Sequence, residues 1–148
     1  MGTTVTMAYS VGSRLFLVHV GDSRCYLYRD ENLHRLTHDH TLVEEMVQRG
    51  LVKPEDVADH QFGHIITNVV GGPTPGVKVE CHRVELEPDD TLLLCSDGLT
   101  GMLSDDRIAA VLEADHEPRT AYERLVAEAN ELGGKDNISV IVARFEAT

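Results

Sequence analysis

The sequence predicts a single α+β domain, a layered sandwich of two groups of strands with helices on the outside. Three observations favour this fold class. Apolar segments in the first third are separated by short turns rich in glycine and acidic residues, as between antiparallel strands. Residues 92–95 form an apolar run that breaks abruptly into Ser96-Asp97-Gly98, which is typical of the end of a strand buried on both faces. Two stretches with apolar residues at helical spacing follow that run.

The first 40 residues are interpreted as an antiparallel meander. Their strands are predicted at residues 3–11, 14–20, 24–29 and 33–36. Residues 41–76 are interpreted as an insertion that lies beside the functional site. Thr41 is predicted to cap a helix that ends at Gly50, and Pro54 to open a second short helix, with an irregular, glycine-rich remainder.

The second half of the chain is predicted to contain strands and two paired helices. Residues 77–86 alternate as a strand does, and a tight turn leads into the central strand at 91–95. Ser104 is predicted to cap the next helix, and Pro118 to begin a longer one that ends at Gly133-Gly134. The last strand is predicted at 138–145. The longer helix is expected to carry an apolar stripe formed by Tyr122, Leu125, Val126, Ala129 and Leu132.

Composition and charge narrow the function classes. The 148 residues, 42% hydrophobic and 26% charged, fit one globular domain spanning residues 1–148. The net charge of −12 argues against nucleic acid and anionic membrane as partners. Cys25, Cys81 and Cys95 form no CxxC zinc pattern and are interpreted as buried thiols in a reducing compartment. With no segment of transmembrane length and no signal-peptide architecture, no membrane insertion is expected, and the expected location is the cytoplasm.

Three aspartates carry the predicted chemistry. Asp22, Asp97 and Asp136 each lie next to a glycine turn and at the end of an apolar run, which suggests one oxygen-rich pocket. Hard divalent cations such as Mg²⁺ and Mn²⁺ prefer carboxylate and water oxygens. Two such ions can orient a hydroxide toward a phosphorus atom without any protein nucleophile. The chain has no GxSxG, GxxxxGK[ST] or GxGxxG motif, so serine-hydrolase and nucleotide-cradling alternatives are not supported.

Alternatives stay open for individual residues. An Asp beside a glycine is most often a turn residue, and for Asp22 alone that interpretation is favoured. The pair His38 and His40 is weak evidence for zinc without a cysteine partner. Three arginines that could meet a phosphate alternate with apolar residues and are expected to pair at the surface: Arg14, Arg24 and Arg29. Several other residues are interpreted as solvated surface groups: His60, His64, Asp89, Asp90, Asp105 and Asp106.

Five motifs, taken in order, resemble those of PP2C-type (PPM) protein phosphatases, bacterial branch. They are Gly2-Thr3-Thr4, Val20-Gly21-Asp22-Ser23-Arg24-Cys25-Tyr26, Leu36-Thr37-His38-Asp39-His40-Thr41, Leu94-Cys95-Ser96-Asp97-Gly98-Leu99-Thr100 and Gly134-Lys135-Asp136-Asn137-Ile138-Ser139. The resemblance implies a metal-dependent phosphatase that hydrolyses phosphoserine and phosphothreonine in proteins through a metal-activated water. It also implies an αββα four-layer sandwich with Mg²⁺ or Mn²⁺ between the sheets, two or more ions in the complete domain. The implied partners are phosphoproteins, among them a Ser/Thr kinase.

The resemblance assigns roles by position. Asp97 and Asp136 match metal-binding acids, and Asp22 matches the acid that helps to hold an additional, weaker ion in bacterial members. Residues 41–76 would be the flap that shapes substrate access. Supporting roles are implied for residues in the matching motifs: Ser96, Gly98, Asn137, Arg24, Thr37 and His40.

The departure of the chain from the family pattern is large. It has no match to the upstream Arg and acidic motif or to the Asp-Gly-x-Gly motif whose Asp bridges the two ions. The chain is therefore expected to be the C-terminal part of a catalytic domain, an incomplete sandwich that lacks N-terminal strands and a helix and leaves apolar surface uncovered. Weak or absent activity is expected of the chain alone. The alternatives are a non-catalytic pseudophosphatase or regulatory module, an inactive fragment, and a related phosphatase that acts on an anti-sigma-factor antagonist.

Overall fold

The computed structural model describes residues 1–57, 60–72 and 76–146, and these contain seven strands and four α-helices. The strands are β1 (Val5–Val11), β2 (Arg14–Val20), β3 (Arg24–Arg29), β4 (Asn32–Arg35), β5 (Glu80–Glu85), β6 (Thr91–Cys95) and β7 (Val140–Arg144). The helices are α1 (Leu42–Gln48), α2 (Asp97–Thr100), α3 (Asp105–Ala114) and α4 (Pro118–Glu131), with a 3₁₀ turn at Pro54–Asp56. None of the described helices combines the length and the apolarity that a membrane crossing requires.

The strands form two antiparallel sheets. One has the order β1-β2-β5, and the other has the order β4-β3-β6-β7. The predicted single meander is wrong, because β2 and β3 lie in different sheets. The turn Gly21-Asp22-Ser23 carries the chain from one sheet to the other and does not fold it back on its own strand.

The register of the four-stranded sheet decides where the predicted site residues lie. Cys95, the last residue of β6, is opposite Arg24 at the start of β3 and opposite Val140 at the start of β7. The segments that precede β3 and β7 and the segment that follows β6 therefore meet at one edge of the sheet. Asp22, Asp97 and Asp136 belong to those three segments.

Two apolar cores explain why β6 is apolar throughout. Leu92 faces the other sheet, where it packs in a cluster with Leu15, Leu17 and Leu27. Its neighbour Leu93 faces the helices, because successive side chains of a strand point to opposite faces. The helix-side cluster is formed mainly by Tyr26, Leu93, Leu99, Leu103, Ile108, Val111, Leu112, Ala121, Leu125 and Ala129.

In the described part of the chain, one face of the four-stranded sheet packs on the three-stranded sheet and its other face packs on the helices. The outer face of the three-stranded sheet is uncovered. Met7 is 52% exposed and Tyr9 62% exposed. The register places these side chains on one face with Phe16, which is also exposed. The predicted α+β sandwich is confirmed as an incomplete one, with apolar surface on the face where a further layer would pack.

The helix caps are confirmed. Thr41 Oγ1 accepts the Glu44 N–H of α1, and Ser104 Oγ accepts the Arg107 N–H of α3. The helix α4 starts at Pro118 as predicted, but only part of its predicted stripe is buried. Leu125 and Ala129 face the core together with Ala121, while Tyr122 and Leu132 are exposed because they lie on the flank and just past the end of the helix.

Other details differ from the prediction. β5 begins at Glu80 and not at 77, β7 is shorter than predicted at both ends, and α1 ends at Gln48. Cys81 is exposed, because the alternation of β5 turns it to the uncovered face, whereas Cys25 and Cys95 are buried as predicted. Asp90 is not a solvated turn residue, since it is buried and accepts two hydrogen bonds from Arg29.

Candidate metal centre

Asp22 lies where the chain passes between the two sheets. Gly21 precedes it with a φ of +115°, a backbone conformation that side-chain-bearing residues rarely adopt. A Cβ at Gly21 would lie 2.3 Å from Thr4 Cγ2. The Gly21 N–H donates to His40 Nδ1 at 3.0 Å, and the Gly21 carbonyl accepts from the His40 N–H at 2.7 Å. The loop is thus fixed on both sides, and Asp22 is held half-buried at the edge of the sandwich.

Asp97 is the first residue of the short helix α2, and it is exposed. The backbone of the loop before β7 packs directly against the next residue, Gly98. A Cβ at Gly98 would lie 2.2 Å from the Asn137 carbonyl oxygen, so only a glycine permits this close approach. Gly98 does not have a positive φ, so the prediction that it permits a turn is wrong. A glycine is required here because the two backbones pack closely.

Ser96 joins the end of β6 to the same loop. Its hydroxyl donates to the Asn137 carbonyl at 3.1 Å and accepts the Ser139 N–H at 3.0 Å. The Ser96 N–H donates to the Ser139 carbonyl at 3.0 Å. These three bonds extend the β6–β7 pairing beyond the strands. They tie the residue before Asp97 to the loop that carries Asp136, which fits the supporting roles implied for Ser96 and Asn137.

Asp136 is exposed and lies directly before the Asn137 that contacts Gly98. Its Oδ1 accepts the Asn137 N–H at 2.7 Å, which fixes the carboxylate on its own loop. The structure therefore places Asp97 and Asp136 on two segments in backbone contact, next to the segment that carries Asp22.

The electrostatics link Asp22 to Asp97. Burial raises the pKa of Asp22 above its ordinary value, and the negative charge of Asp97 raises it further. A divalent cation beside both groups would reverse that effect, because a nearby positive charge favours the ionised carboxylate.

Among the described residues, the groups whose ligand atoms all lie within 4.8 Å of one another are made of histidines and a glutamate, and the three aspartates do not form such a group. Mg²⁺ keeps several waters, so carboxylates that share an edge without touching suit this ion as a donor set.

Arg24 does not point a free guanidinium at this edge. Its Nε and Nη2 donate to both carboxylate oxygens of Asp39, the shortest distance being 2.7 Å, and its Nη1 donates to Tyr26 Oη at 3.0 Å. Burial lowers the pKa of Arg24, but the hydrogen bonds and charges of Asp39 and Tyr26 together outweigh burial, and the pKa stays raised. Arg35 also contacts Asp39. The expected surface pairing of Arg24 is thus a half-buried, bidentate ion pair that braces the start of β3.

Thr37 holds the start of β3, and His40 holds the Asp22 loop. Thr37 is buried, and its Oγ1 accepts the Cys25 N–H at 3.0 Å. His40 Nδ1 accepts from Gly21 and from the Asn68 side-chain amide at 2.9 Å. His40 therefore links the segment 41–72 to the loop of Asp22.

His19 was not singled out from the sequence, although it lies at the centre of this network. It is fully buried, and its Nε2 lies 3.0 Å from both the Gly21 and the His38 carbonyl oxygens. Thr6 Oγ1 lies 2.9 Å from His19 Nδ1. Burial lowers the pKa of His19, so the neutral ring donates from Nε2 and accepts at Nδ1. The signal that could have found it is a lone polar residue inside the apolar strand β2.

Comparison with known proteins identifies the family. The family model described as Stage II sporulation protein E (SpoIIE) matches residues 2–146. The chain belongs to this family. The "Serine/threonine phosphatase stp" of Listeria monocytogenes is 35% identical to this SpoIIE-family chain over 148 residues, 100% of the chain and 58% of that protein. The "Protein phosphatase PhpP" of Streptococcus pneumoniae is 39% identical over 140 residues, 95% of the chain and 56% of that protein.

Solved structures confirm the fold expected from the resemblance to PP2C-type phosphatases. The serine/threonine phosphatase PstP/Ppp of Mycobacterium tuberculosis is 39% identical, with a TM-score of 0.93 over 99% of this chain and 61% of that one. The catalytic domain of PstP in complex with two manganese ions is 38% identical, with a TM-score of 0.84 over 97% of this chain and 59% of that one. The SpoIIE-family chain thus spans a little more than half the length of the curated relatives it matches.

Proposed function

We propose that the chain is the part of a metal-dependent protein serine/threonine phosphatase that supplies Asp22, Asp97 and Asp136 to a Mg²⁺ or Mn²⁺ centre. The observation that carries this proposal is the register of the four-stranded sheet. It brings the start of β3, the end of β6 and the start of β7 to one edge, and each of these segments carries one of the three acids. The names of the relatives and the two manganese ions of the PstP structure support the same assignment.

The three acids have different environments, which suit different roles. Asp97 and Asp136 are exposed, so they can bind an ion and keep their remaining contacts to water. Asp22 is half-buried and its pKa is raised, so it is assigned to an additional, weaker ion. When bound, the ions would supply an activated water for attack on phosphorus and would neutralise the oxygens that gain charge.

The remaining residues of the chain position these acids. Ser96 and Gly98 fix Asp97 against the loop of Asp136, and His40 fixes the loop of Asp22 through Gly21. Arg24 is engaged by Asp39, so this guanidinium orients β3 and does not bind the substrate phosphate. The chain supplies ligands and rigid support, and no nucleophile of its own is assigned.

The substrate class proposed is phosphoserine and phosphothreonine in proteins, and a Ser/Thr kinase is the proposed partner among them. Residues 41–76 are proposed as the flap beside the site, since the segment 41–72 reaches the Asp22 loop through Asn68 and His40.

The three cysteines are free thiols, which suits a reducing compartment such as the cytoplasm. Because the chain spans 56–58% of those relatives, we infer that it has little or no turnover by itself.

Mn²⁺ titration by calorimetry tests the proposal on the 148-residue chain. Asp97→Asn and Asp136→Asn are expected to weaken Mn²⁺ binding by about tenfold or more, because loss of even an outer-shell partner of a metal ligand lowers the affinity by about that factor. Asp106→Asn is the matched control, an exposed acid in the first turn of α3. Mn²⁺ affinity that is unchanged in both site variants, or lowered equally by Asp106→Asn, would contradict the assignment.

A non-catalytic interaction module is the second candidate. The uncovered apolar face around Met7, Tyr9 and Phe16 favours it, because exposed apolar patches often mark protein contacts. The two candidates differ in the role of the acids. In the module, Mn²⁺ binding would not depend on Asp136.

A further inference from the structure

We propose a second metal site, formed by His38, Glu80 and His82, for a Zn²⁺-like divalent cation. It lies between the segment after β4 and the start of β5, and none of the three aspartates contributes to it. The site does not depend on the proposed phosphatase function.

The geometry of the three side chains suits one ion. The ligand atoms of His38, Glu80 and His82 all lie within 4.8 Å of one another. His38 Nδ1 is 3.0 Å from Glu80 Oε1, and His82 Nε2 contacts the same carboxylate oxygen. Zinc bonds of 2.0–2.2 Å in a tetrahedron separate neighbouring ligand atoms by about 3.4 Å, so modest side-chain rotation brings all three onto one ion.

The carboxylate is already oriented for this role. Glu80 Oε2 accepts the His38 backbone N–H at 3.3 Å, and it lies 3.6 Å from His40 Nε2. Contacts of this kind fix the orientation of a metal ligand. The side chain of His38 is 65% exposed, and that of His82 is 36% exposed, so an ion can enter and water can complete its coordination.

A neighbouring group of three has the same residue types and is not a candidate. His19, His40 and Glu80 also have ligand atoms within 4.8 Å of one another. Both nitrogens of His19 are used by Thr6 and by backbone carbonyls, and His40 Nδ1 accepts two hydrogen bonds. An ion there would have to break the bonds that hold the Asp22 loop. In the group of His38, Glu80 and His82, by contrast, both imidazoles contact the same carboxylate oxygen. An ion there would replace these contacts and leave the bonds of the Asp22 loop in place.

The chemistry of the donors separates the two sites. Two imidazole nitrogens with one carboxylate favour Zn²⁺ and the other late first-row cations, whereas carboxylates and water favour Mg²⁺ and Mn²⁺. An ion on His38, Glu80 and His82 would join the segment after β4 to β5. It would thereby stiffen the base of the segment 41–76, whose Asn68 also bonds to His40.

Zn²⁺ titration by calorimetry in excess Mg²⁺ tests this site on the 148-residue chain. His38→Gln and His82→Gln are expected to weaken Zn²⁺ binding by about tenfold or more. His34→Gln is the matched control, an exposed histidine of β4, and it should leave the affinity unchanged. The variant with both Asp97→Asn and Asp136→Asn should also keep the affinity.

Thermal unfolding gives a second readout. Zn²⁺ should raise the melting temperature of the unsubstituted chain and of His34→Gln, and should have much less effect on His82→Gln. His38→Gln keeps the test decisive if His82→Gln does not fold, because His38 is largely exposed. Absence of Zn²⁺ binding, equal weakening by His34→Gln, or loss of binding only in the double aspartate variant would each overturn the proposal.

Discussion

Gly98→Ala should destabilise the protein, although the same change in a helix ordinarily stabilises. Gly98 lies in α2 without a positive φ, so alanine would gain about 1 kcal/mol from helix propensity. The new Cβ, however, would lie 2.2 Å from the Asn137 carbonyl oxygen and 2.9 Å from its carbon. These are backbone atoms, which no side-chain rotation can move aside, and the loop before β7 must shift.

The size of the effect follows from these two contributions. Overpacking of this kind costs about 3 kcal/mol at the upper end of the usual range. Subtracting the helix gain leaves about 2 kcal/mol of net destabilisation. For a chain of this length, that should lower the melting temperature by about 4–8 °C. Because Asp97 and Asp136 lie on the two segments that would be pushed apart, Mn²⁺ affinity should fall as well.

Calorimetric or circular-dichroism melting checks this prediction. Gly101→Ala is the comparator, since its Cβ would meet a single atom, the Asp97 carbonyl oxygen, at 3.0 Å, and a smaller loss is expected. A Gly98→Ala protein that melts at the same or a higher temperature and binds Mn²⁺ normally would refute the close packing of these segments.

Two further predictions concern the Asp22 loop and its support. Asp22→Asn should stabilise the metal-free chain near pH 7, because the raised pKa of Asp22 means that its ionisation opposes folding. The protonated carboxyl contributes stability fully below its unfolded pKa and loses it as the pH rises through the folded pKa, so the advantage of asparagine should grow with pH over that window. Melting curves from pH 3 to 7, which bracket the ordinary aspartate pKa of about 4, would contradict this if they showed no such trend. Thr37→Val should cost about 1–3 kcal/mol, since the buried Cys25 N–H would lose its acceptor. Chemical denaturation measures it, with Thr3→Val as the exposed control, and equal stability of the two variants would be inconsistent with a structural role of the Thr37 hydroxyl.

The sequence predicted the local elements well, because their signals are local. The apolar run of β6, the caps at Thr41 and Ser104 and the start of α4 at Pro118 depend on residues close in the chain. The division of the strands into two sheets could not be read from the same pattern. The turn after β2 looks like a hairpin turn, and only the pairing of β3 with β6, which lies far away in sequence, shows that the chain changes sheets there.

The acids of the candidate site could be named from the sequence, but the residues around them could not. The three acids at strand ends were recognisable, and the register of the four-stranded sheet brings the segments that carry them to one edge. The partners that hold them were harder to find. Glu80 appeared only as a residue near the start of a predicted strand, yet it contacts His38, His40 and His82, because β5 pairs with β2 and faces the segment after β4. Contacts of this kind depend on sheet order, which no single segment encodes.

The central claim is that Asp22, Asp97 and Asp136 share one metal centre, and paramagnetic broadening by Mn²⁺ tests it most directly. In the ¹⁵N-labelled chain, small amounts of Mn²⁺ should broaden the amide signals of Ser23, Gly98 and Asn137 together, and Asp97→Asn should weaken all three effects. Broadening that is confined to the acidic start of α3, or that spares the three loops, would show that the acids do not hold a common ion.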